Sequence, residues 1–165
     1  MKELRDAKIG KGVLFSICVA IAILYFFPIN VGMFTFHFVH GNIFHLIVNM
    51  IAISTVLYKC RTIMLPVAFI VTSYLWLLSG NAIGISGIIF FMWGTRFSYD
   101  IHNSNEPVKY IAMTSLPLLV SLIHPKLSFT LHFFPFMVGA VIGFVDYVYE
   151  KHLLVKDIYK FKGHE

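Results

Sequence analysis

Residues 84–91 read Gly-Ile-Ser-Gly-Ile-Ile-Phe-Phe, and this stretch decides how the rest of the chain is interpreted. It places the hydroxyl of Ser86 between Gly84 and Gly87, at the start of an apolar run. Glycines at such positions let a neighbouring helix approach closely. The stretch predicts a serine nucleophile at membrane depth, which would need a base, donors for an oxyanion and access to water.

The composition predicts a membrane protein. Of the 165 residues, 58% are hydrophobic and 13% are charged, and the mean hydropathy is +0.80. A soluble domain averages about 45–50% apolar and about 25% charged residues. The net charge of +5 does not indicate a nucleic-acid partner, since the position of charge matters more than its total in a membrane protein. Two cysteines, Cys18 and Cys60, make no disulfide framework and are predicted to be free thiols.

Six apolar runs predict a single all-α domain over residues 1–165, with six transmembrane helices. The predicted helices cover residues 13–27, 43–58, 63–78, 86–94, 110–123 and 130–150. The fourth, which carries the serine, is short. Tight turns are predicted at 79–81 and 124–126, and a polar loop at 100–109. The first run is interpreted as a helix and not a signal peptide, because no small-x-small cleavage site follows it.

The basic residues predict the orientation in the membrane. With the N-terminus in the cytoplasm, every one of the 13 lysines and arginines except Lys126 falls on the cytoplasmic side. This bias predicts that both termini lie inside, with residues 1–12 and 151–165 as cytoplasmic segments around a core at 13–150. The small size favours the cytoplasmic membrane of a bacterium, and short helices with polar starts predict a cavity open to the outer side.

Polar residues inside the apolar runs are functional candidates, because they are expensive to bury in lipid. His45 and Asn49 are spaced to share one face of the second helix. On the last helix, His132, Gly139, Gly143 and Asp146 share a face, and the Gly139-x-x-x-Gly143 pair is typical of close helix packing. Packing of this face on the fourth helix is expected to bring His132 to Ser86.

These residues suffice for acyl-transfer chemistry. A neutral His132 can take the proton of Ser86, because a serine hydroxyl is a poor nucleophile without a base. The free N–H groups at the start of the fourth helix, with the side chains of His45 and Asn49, can stabilise an oxyanion. Asp146 lies several turns further along the last helix, so the sequence predicts a Ser-His dyad and no triad.

With these motifs the chain resembles the rhomboid intramembrane serine proteases over all six helices. The matching elements are His40-x4-His45-x3-Asn49, the Gly84–Gly87 tetrapeptide with Gly94, and His132 with Gly139 and Phe144-Val145-Asp146. The resemblance implies that Ser86 is the nucleophile, His132 the base, and His45 and Asn49 oxyanion donors. Supporting roles fall to Gly84, Gly87, Phe90, His40 and Gly139. It also implies substrates that are transmembrane proteins, and no metal or other cofactor.

Three features depart from the family pattern. The connection after the first helix is short. Phe90 replaces the usual tyrosine four residues after the serine, and can stack on His132 but offers no hydroxyl. Pro135 replaces a glycine three residues after the histidine; the first turn of a helix tolerates proline, but it would alter packing beside the base.

Other interpretations of the same residues remain open. The chain could be a catalytically silent relative that binds transmembrane helices, although such relatives usually lack the serine or the histidine. It could bind a metal through His37, His40, His45 and His132, but the spacing of His40 and His45 does not match two ligands on one helical face. Taken singly, three histidines are predicted to lie at the membrane–water interface: His37, His102 and His124. Asn49 could form a hydrogen bond between helices. Asp146 could cap a helix or form an ion pair near the inner end of the last helix.

Overall fold

The computed structural model describes residues 8–27, 30–58, 60–79, 83–103, 105–123 and 128–162, with side chains in the final helix as far as residue 153. Within these ranges the fold is all-helical, as predicted, apart from an isolated bridge between Lys8 and Arg61. The helices are α1 (Lys11–Phe26), α2 (Ile43–Ala52), α3 (Met64–Ser79), α4 (Ser86–Asn103), α5 (Pro107–Ile123) and α6 (Phe129–Lys162).

Several sequence-based predictions fall outside the described residues. They are the turn at 124–126, most of the turn at 79–81, and the cytoplasmic placement of residues 1–7. Lys59 and Lys126, which entered the charge comparison, lie outside them as well.

Helix α2 has a clear start and an irregular end. The side chain of Asn42 caps it by accepting a hydrogen bond of 2.8 Å from the His45 N–H. Beyond Ala52 the helix widens into a π-helical turn over Ile53–Leu57 before the chain leaves it at Tyr58. A π-helical turn holds one more residue than an α-helical turn, so the side chains after it point in a different direction. The sequence predicted one uniform helix here.

Helix α4 is the centre of the fold and is longer than predicted. Its buried residues include Ile88, Phe91 and Met92, and it contacts α2, α3, α5 and α6. The prediction that it ends near Gly94 is wrong, and the loop predicted at 100–109 is helical at 100–103 and again from Pro107. The helix continues to Asn103 because its polar residues are satisfied: Arg96 pairs with Asp100 at 3.0 Å, one turn away.

The ends of α5 and α6 also differ from the prediction. α5 begins at Pro107, three residues earlier than expected, where a proline suits the first helical position. α6 continues to Lys162, so most of the predicted tail is helical. The predicted ends were placed where the apolar runs meet charged residues, whereas a helix continues through charged residues that favour the helical state.

Helices α4 and α6 approach so closely that glycine is required at their contact. A Cβ added to Gly139 would overlap the carbonyl of Phe91, and one added to Gly143 would overlap the carbonyl of Thr95. On the opposite helix, Gly94 faces the carbonyl of Phe136 in the same way. The predicted glycine face of α6 therefore packs on α4, as expected from its spacing.

Charged residues meet at the end of α4 that lies away from Ser86. Arg61 forms ion pairs with both Asp146 and Glu150 of α6. An ion pair is one of the two roles that the sequence predicted for Asp146. Beside them is a cavity of about 290 Å³, also lined by Lys8 and Arg96. Three of the basic residues predicted to lie inside, Lys8, Arg61 and Arg96, therefore lie together at one end of α4.

Cys18 and Cys60 are free thiols, as predicted. Cys60 lies buried in the connection between α2 and α3. Burial raises the pKa of its thiol to about 11, so the thiol stays protonated near neutral pH.

One helix within the described ranges is long and apolar enough to cross a membrane, Phe129–Leu153, with a mean hydropathy of 1.6. Four shorter apolar helices accompany it, over Lys11–Phe26, Ile43–Leu57, Met64–Leu78 and Pro107–Ile123. Large apolar side chains on these shorter helices are exposed, among them Phe15 (71%), Phe44 (78%) and Ile123 (79%).

Candidate active site

Ser86 and His132 are joined by a hydrogen bond. Ser86 is the first residue of α4 and His132 lies in the first turn of α6, so the close packing of these two helices brings their starts together. The Ser86 Oγ is 2.9 Å from the His132 Nε2. This is the distance at which an imidazole can take a hydroxyl proton.

The imidazole of His132 is held by an aromatic stack. The ring of Phe90, one turn along α4 from the serine, lies 4.4 Å from the imidazole centroid at an interplanar angle of 21°. His132 is buried, and its Nδ1 has no hydrogen-bond partner among the described residues. Asp146 lies 14 residues further along α6, where it pairs with Arg61. Within the described residues the arrangement is therefore a Ser-His pair without an acidic partner on the imidazole.

Gly84 lets α2 approach the segment that precedes the serine. Its φ of +104° is a left-handed conformation that favours glycine. A Cβ at this position would lie 2.8 Å from the His45 Cε1 and 3.2 Å from the Asn49 Nδ2. His45 and Asn49 therefore share one face of α2, as their spacing predicts, and both side chains lie against the backbone two residues before Ser86.

Hydrogen-bond donors without partners converge at this point. The Asn49 side chain is buried and its Nδ2 has no partner within the described chain. The first N–H groups of any helix also lack partners inside the helix, and in α4 these belong to Ser86 and the residues after it. Together with the positive end of the helix dipole, such donors suit a negative charge on an oxygen beside Ser86.

His40 and Gly87 contribute to the surroundings of the pair. The His40 ring is 5.1 Å from the ring of His45, and its Nδ1 is 3.2 Å from the carbonyl oxygen of Phe38. A Cβ on Gly87 would lie 3.2 Å from a Thr72 methyl group and 3.3 Å from the Leu131 carbonyl oxygen. Gly87 thus allows α3 and α6 to close on α4 immediately after the serine.

Pro135 does not lie in the first turn of its helix, contrary to the prediction. α6 begins at Phe129, which makes Pro135 its seventh residue, and the side chain is fully buried. Proline has no N–H to donate, so the carbonyl of Leu131 receives no bond from the residue four positions on. This is the carbonyl that lies against Gly87, beside Ser86.

His37 was predicted to be interfacial, and its ring is enclosed by the protein. It is fully buried, with its Nε2 3.1 Å from the Ser73 Oγ of α3. Among the residues that the structure describes, no three His, Cys, Asp or Glu side chains form a group that could hold a metal ion. The four histidines of the metal interpretation therefore do not form such a group.

The sequence did not reveal the contacts that hold the segment before Ser86. The Gly84 N–H donates a 2.8 Å hydrogen bond to the carbonyl of Phe36, in a single 3-10 turn over Phe36–Phe38. Backbone acceptors carry no sequence signature, so this bond could not be predicted. The cap by Asn42 could have been found, because asparagine directly before an apolar helical run is a start signal.

Replacing Gly84 with alanine is expected to impair the site more than the fold. The positive φ costs a non-glycine residue about 1–2 kcal/mol, and the new methyl group would push on His45 and Asn49. We expect reaction of Ser86 with a fluorophosphonate probe to slow at least about tenfold, because small displacements of reacting groups carry large rate penalties. Gly41→Ala is the matched control, since its methyl group would make only an ordinary 3.5 Å contact with Ile83. Equal labelling rates in the two variants would contradict the geometry at Gly84.

Comparison with known proteins returned no match: no family model, no curated protein and no solved structure matches this chain.

Proposed function

We propose that the chain is an intramembrane serine endopeptidase that cleaves transmembrane proteins. The observation that carries the proposal is the 2.9 Å hydrogen bond between Ser86 Oγ and His132 Nε2, near a buried Asn49 whose Nδ2 has no partner among the described residues. In the proposed fold six helices cross the bilayer in the arrangement of the rhomboid proteases, with both termini in the cytoplasm.

In the proposed reaction Ser86 Oγ attacks the carbonyl carbon of the scissile peptide bond while His132 Nε2 takes the hydroxyl proton. The negative charge on the carbonyl oxygen is stabilised by the N–H of Ser86 and by donors from His45 and Asn49. His132 then gives its proton to the leaving amine, and an acyl-enzyme remains on Ser86. A water molecule, deprotonated by His132, hydrolyses the ester and restores the serine.

The membrane placement rests on the apolar surface. Exposed side chains such as Phe15, Phe44 and Ile123 would be a strong aggregation liability in water, whereas lipid covers them without penalty. Helices of 16 residues, such as Lys11–Phe26, are about 24 Å long, shorter than a bilayer core of about 30 Å. Spanning by these helices requires local thinning of the bilayer, which costs only fractions of a kcal/mol per Å.

The depth of the site supports a substrate that is extended where it is cut. Ser86 is half-buried and His132 is buried, so a peptide reaches them only if its backbone leaves the helical state and lies against the start of α4. We therefore propose single-span helices that unwind locally as substrates, in keeping with the resemblance to rhomboid proteases.

The proposal is tested by reconstituting the purified protein in liposomes with a single-span reporter protein. We expect two fragments whose cut lies within or beside the span, in the presence and in the absence of a chelator. Loss of cleavage in the chelator would favour the metal interpretation. A reporter that binds without being cut would favour the silent, helix-binding interpretation.

Replacing either oxyanion donor is expected to slow cleavage without preventing it. His45→Ala and Asn49→Ala each remove one donor, and one such donor typically contributes about 10²–10³ in rate. Val48→Ala is the matched control, because Val48 lies on the exposed face of the same helix. Cleavage rates of the reporter should separate these variants from the control. Wild-type rates in both His45→Ala and Asn49→Ala would remove the two residues from the site.

A further inference from the structure

We propose that His37 is a positioning residue for the Ser86–His132 pair. By bonding the Phe36–Phe38 turn to α3, it keeps the start of α4, and with it Ser86, in position. The inference rests on the proposed function and adds to it a residue that is outside the rhomboid-like motifs. It starts from the surroundings of His37, which is fully buried although it lies between two helices and not within one.

The ring of His37 is fixed on three sides. Its centroid is 3.8 Å from that of Phe36 and 4.8 Å from that of Phe69 on α3. Its Nε2 is 3.1 Å from the Ser73 Oγ and 3.4 Å from the Thr72 Oγ1. A phenylalanine ring could fill the same space. What a histidine adds here is the hydrogen bonds of its Nε2.

The neighbouring hydroxyl groups favour one tautomer of His37. The Thr72 Oγ1 donates its proton to the Ala68 carbonyl at 2.7 Å, so towards His37 it can only accept. This favours the tautomer with the hydrogen on Nε2, which donates to the hydroxyl oxygens of Thr72 and Ser73. Nδ1, which has no partner in the described part of the chain, is then a bare acceptor, less costly to bury than an unpaired donor. Burial lowers the pKa of His37 to about 4, so the ring is neutral near pH 7.

The Phe36–Phe38 turn and α3 contact the catalytic segment on opposite sides of Ser86. Before the serine, the Phe36 carbonyl accepts the 2.8 Å hydrogen bond of the Gly84 N–H. After the serine, the methyl group of Thr72 packs on Gly87. His37 is adjacent to Phe36 in the chain and is bonded to Thr72. It therefore links the two contacts that set the position of the start of α4.

This geometry predicts a rate effect that depends on the reach of the side chain. In His37→Gln the amide nitrogen takes the place of Nε2, whereas in His37→Asn the same amide is one methylene too short to reach Ser73. His37→Phe keeps the ring stack and has no donor. We expect kcat for the reporter to fall about tenfold or more in His37→Asn and His37→Phe, with KM unchanged, because misplaced reacting groups lower the rate of the chemical step. His37→Gln should retain most of the wild-type kcat.

The partner of His37 supplies a second measurement. Ser73→Ala should lower kcat in the wild-type background and have little further effect in His37→Phe, since both changes break the same bond. Hydrogen exchange of the Gly84 amide, followed by mass spectrometry, should quicken in His37→Phe and stay slow in His37→Gln.

The outcomes separate this inference from the proposed function. A wild-type protein that cleaves the reporter, with the same kcat in His37→Asn, His37→Gln and His37→Phe, would overturn the role of His37 alone. Loss of kcat in His37→Gln as large as in His37→Asn, with the wild-type kcat retained in His37→Phe, would mean that His37 only fills space. Absence of cleavage in the wild type would overturn both.

Discussion

Ser86→Ala is expected to abolish cleavage of a transmembrane reporter and leave the fold intact. The change removes the nucleophile and one hydrogen bond, and such a bond contributes only about 0.5–1.5 kcal/mol to stability. No other described hydroxyl lies within hydrogen-bond distance of His132, so none can replace it. Thermal unfolding in detergent, measured by circular dichroism, should match that of the wild type within a few degrees.

The matched control for this variant is Ser98→Ala, on the same helix. The Ser98 Oγ donates a 2.6 Å hydrogen bond to the Ala140 carbonyl and lies three turns from the site, so this variant should lose a comparable bond and keep its activity. Cleavage near the wild-type rate in Ser86→Ala would show that Ser86 is not the nucleophile. Loss of cleavage together with loss of the helical signal would instead indicate a structural role.

Gly139→Ala is expected to destabilise the whole bundle. The added methyl group would overlap the Phe91 carbonyl, which belongs to a helix backbone and cannot rotate away. The two helices must then separate, and overpacking of this kind costs about 1–3 kcal/mol or more. Separation would also pull His132 away from Ser86. The expected result is a lower unfolding temperature together with loss of serine labelling.

Gly12→Ala is the control for Gly139→Ala. Gly12 lies within α1 with no atom near its missing side chain, so alanine there should preserve or slightly raise stability through its better helix propensity. Unfolding curves of the two variants in the same detergent give the comparison. If Gly139→Ala unfolds at the temperature of Gly12→Ala, the close contact between α4 and α6 is absent.

The sequence predicted those parts of the site that follow from helical periodicity. The four-residue spacing of His45 and Asn49 puts both side chains on one face of α2, and both contact Gly84. The spacing from His132 to Gly139 predicted the face of α6 that packs on α4. Such predictions succeed because position on a helix face depends on spacing alone, and apolar runs locate the helices themselves.

Features that depend on distant partners were missed. His37 was predicted to be interfacial, yet it is buried against Ser73, which is 36 residues further along the chain. The end of α4 was placed too early because Arg96 and Asp100 look like loop residues, whereas they pair with each other and Arg96 also donates to the Tyr58 carbonyl. A single sequence does not show which polar residues will find such partners.

The central claim, an activated Ser86, is tested most directly by labelling the purified wild-type protein in detergent with a fluorophosphonate probe. Peptide mass spectrometry would locate the adduct. We predict one adduct, on Ser86, which is absent from His132→Ala because the hydroxyl then has no base. A folded protein that takes up no probe, or an adduct on another residue that persists in Ser86→Ala, would contradict the claim.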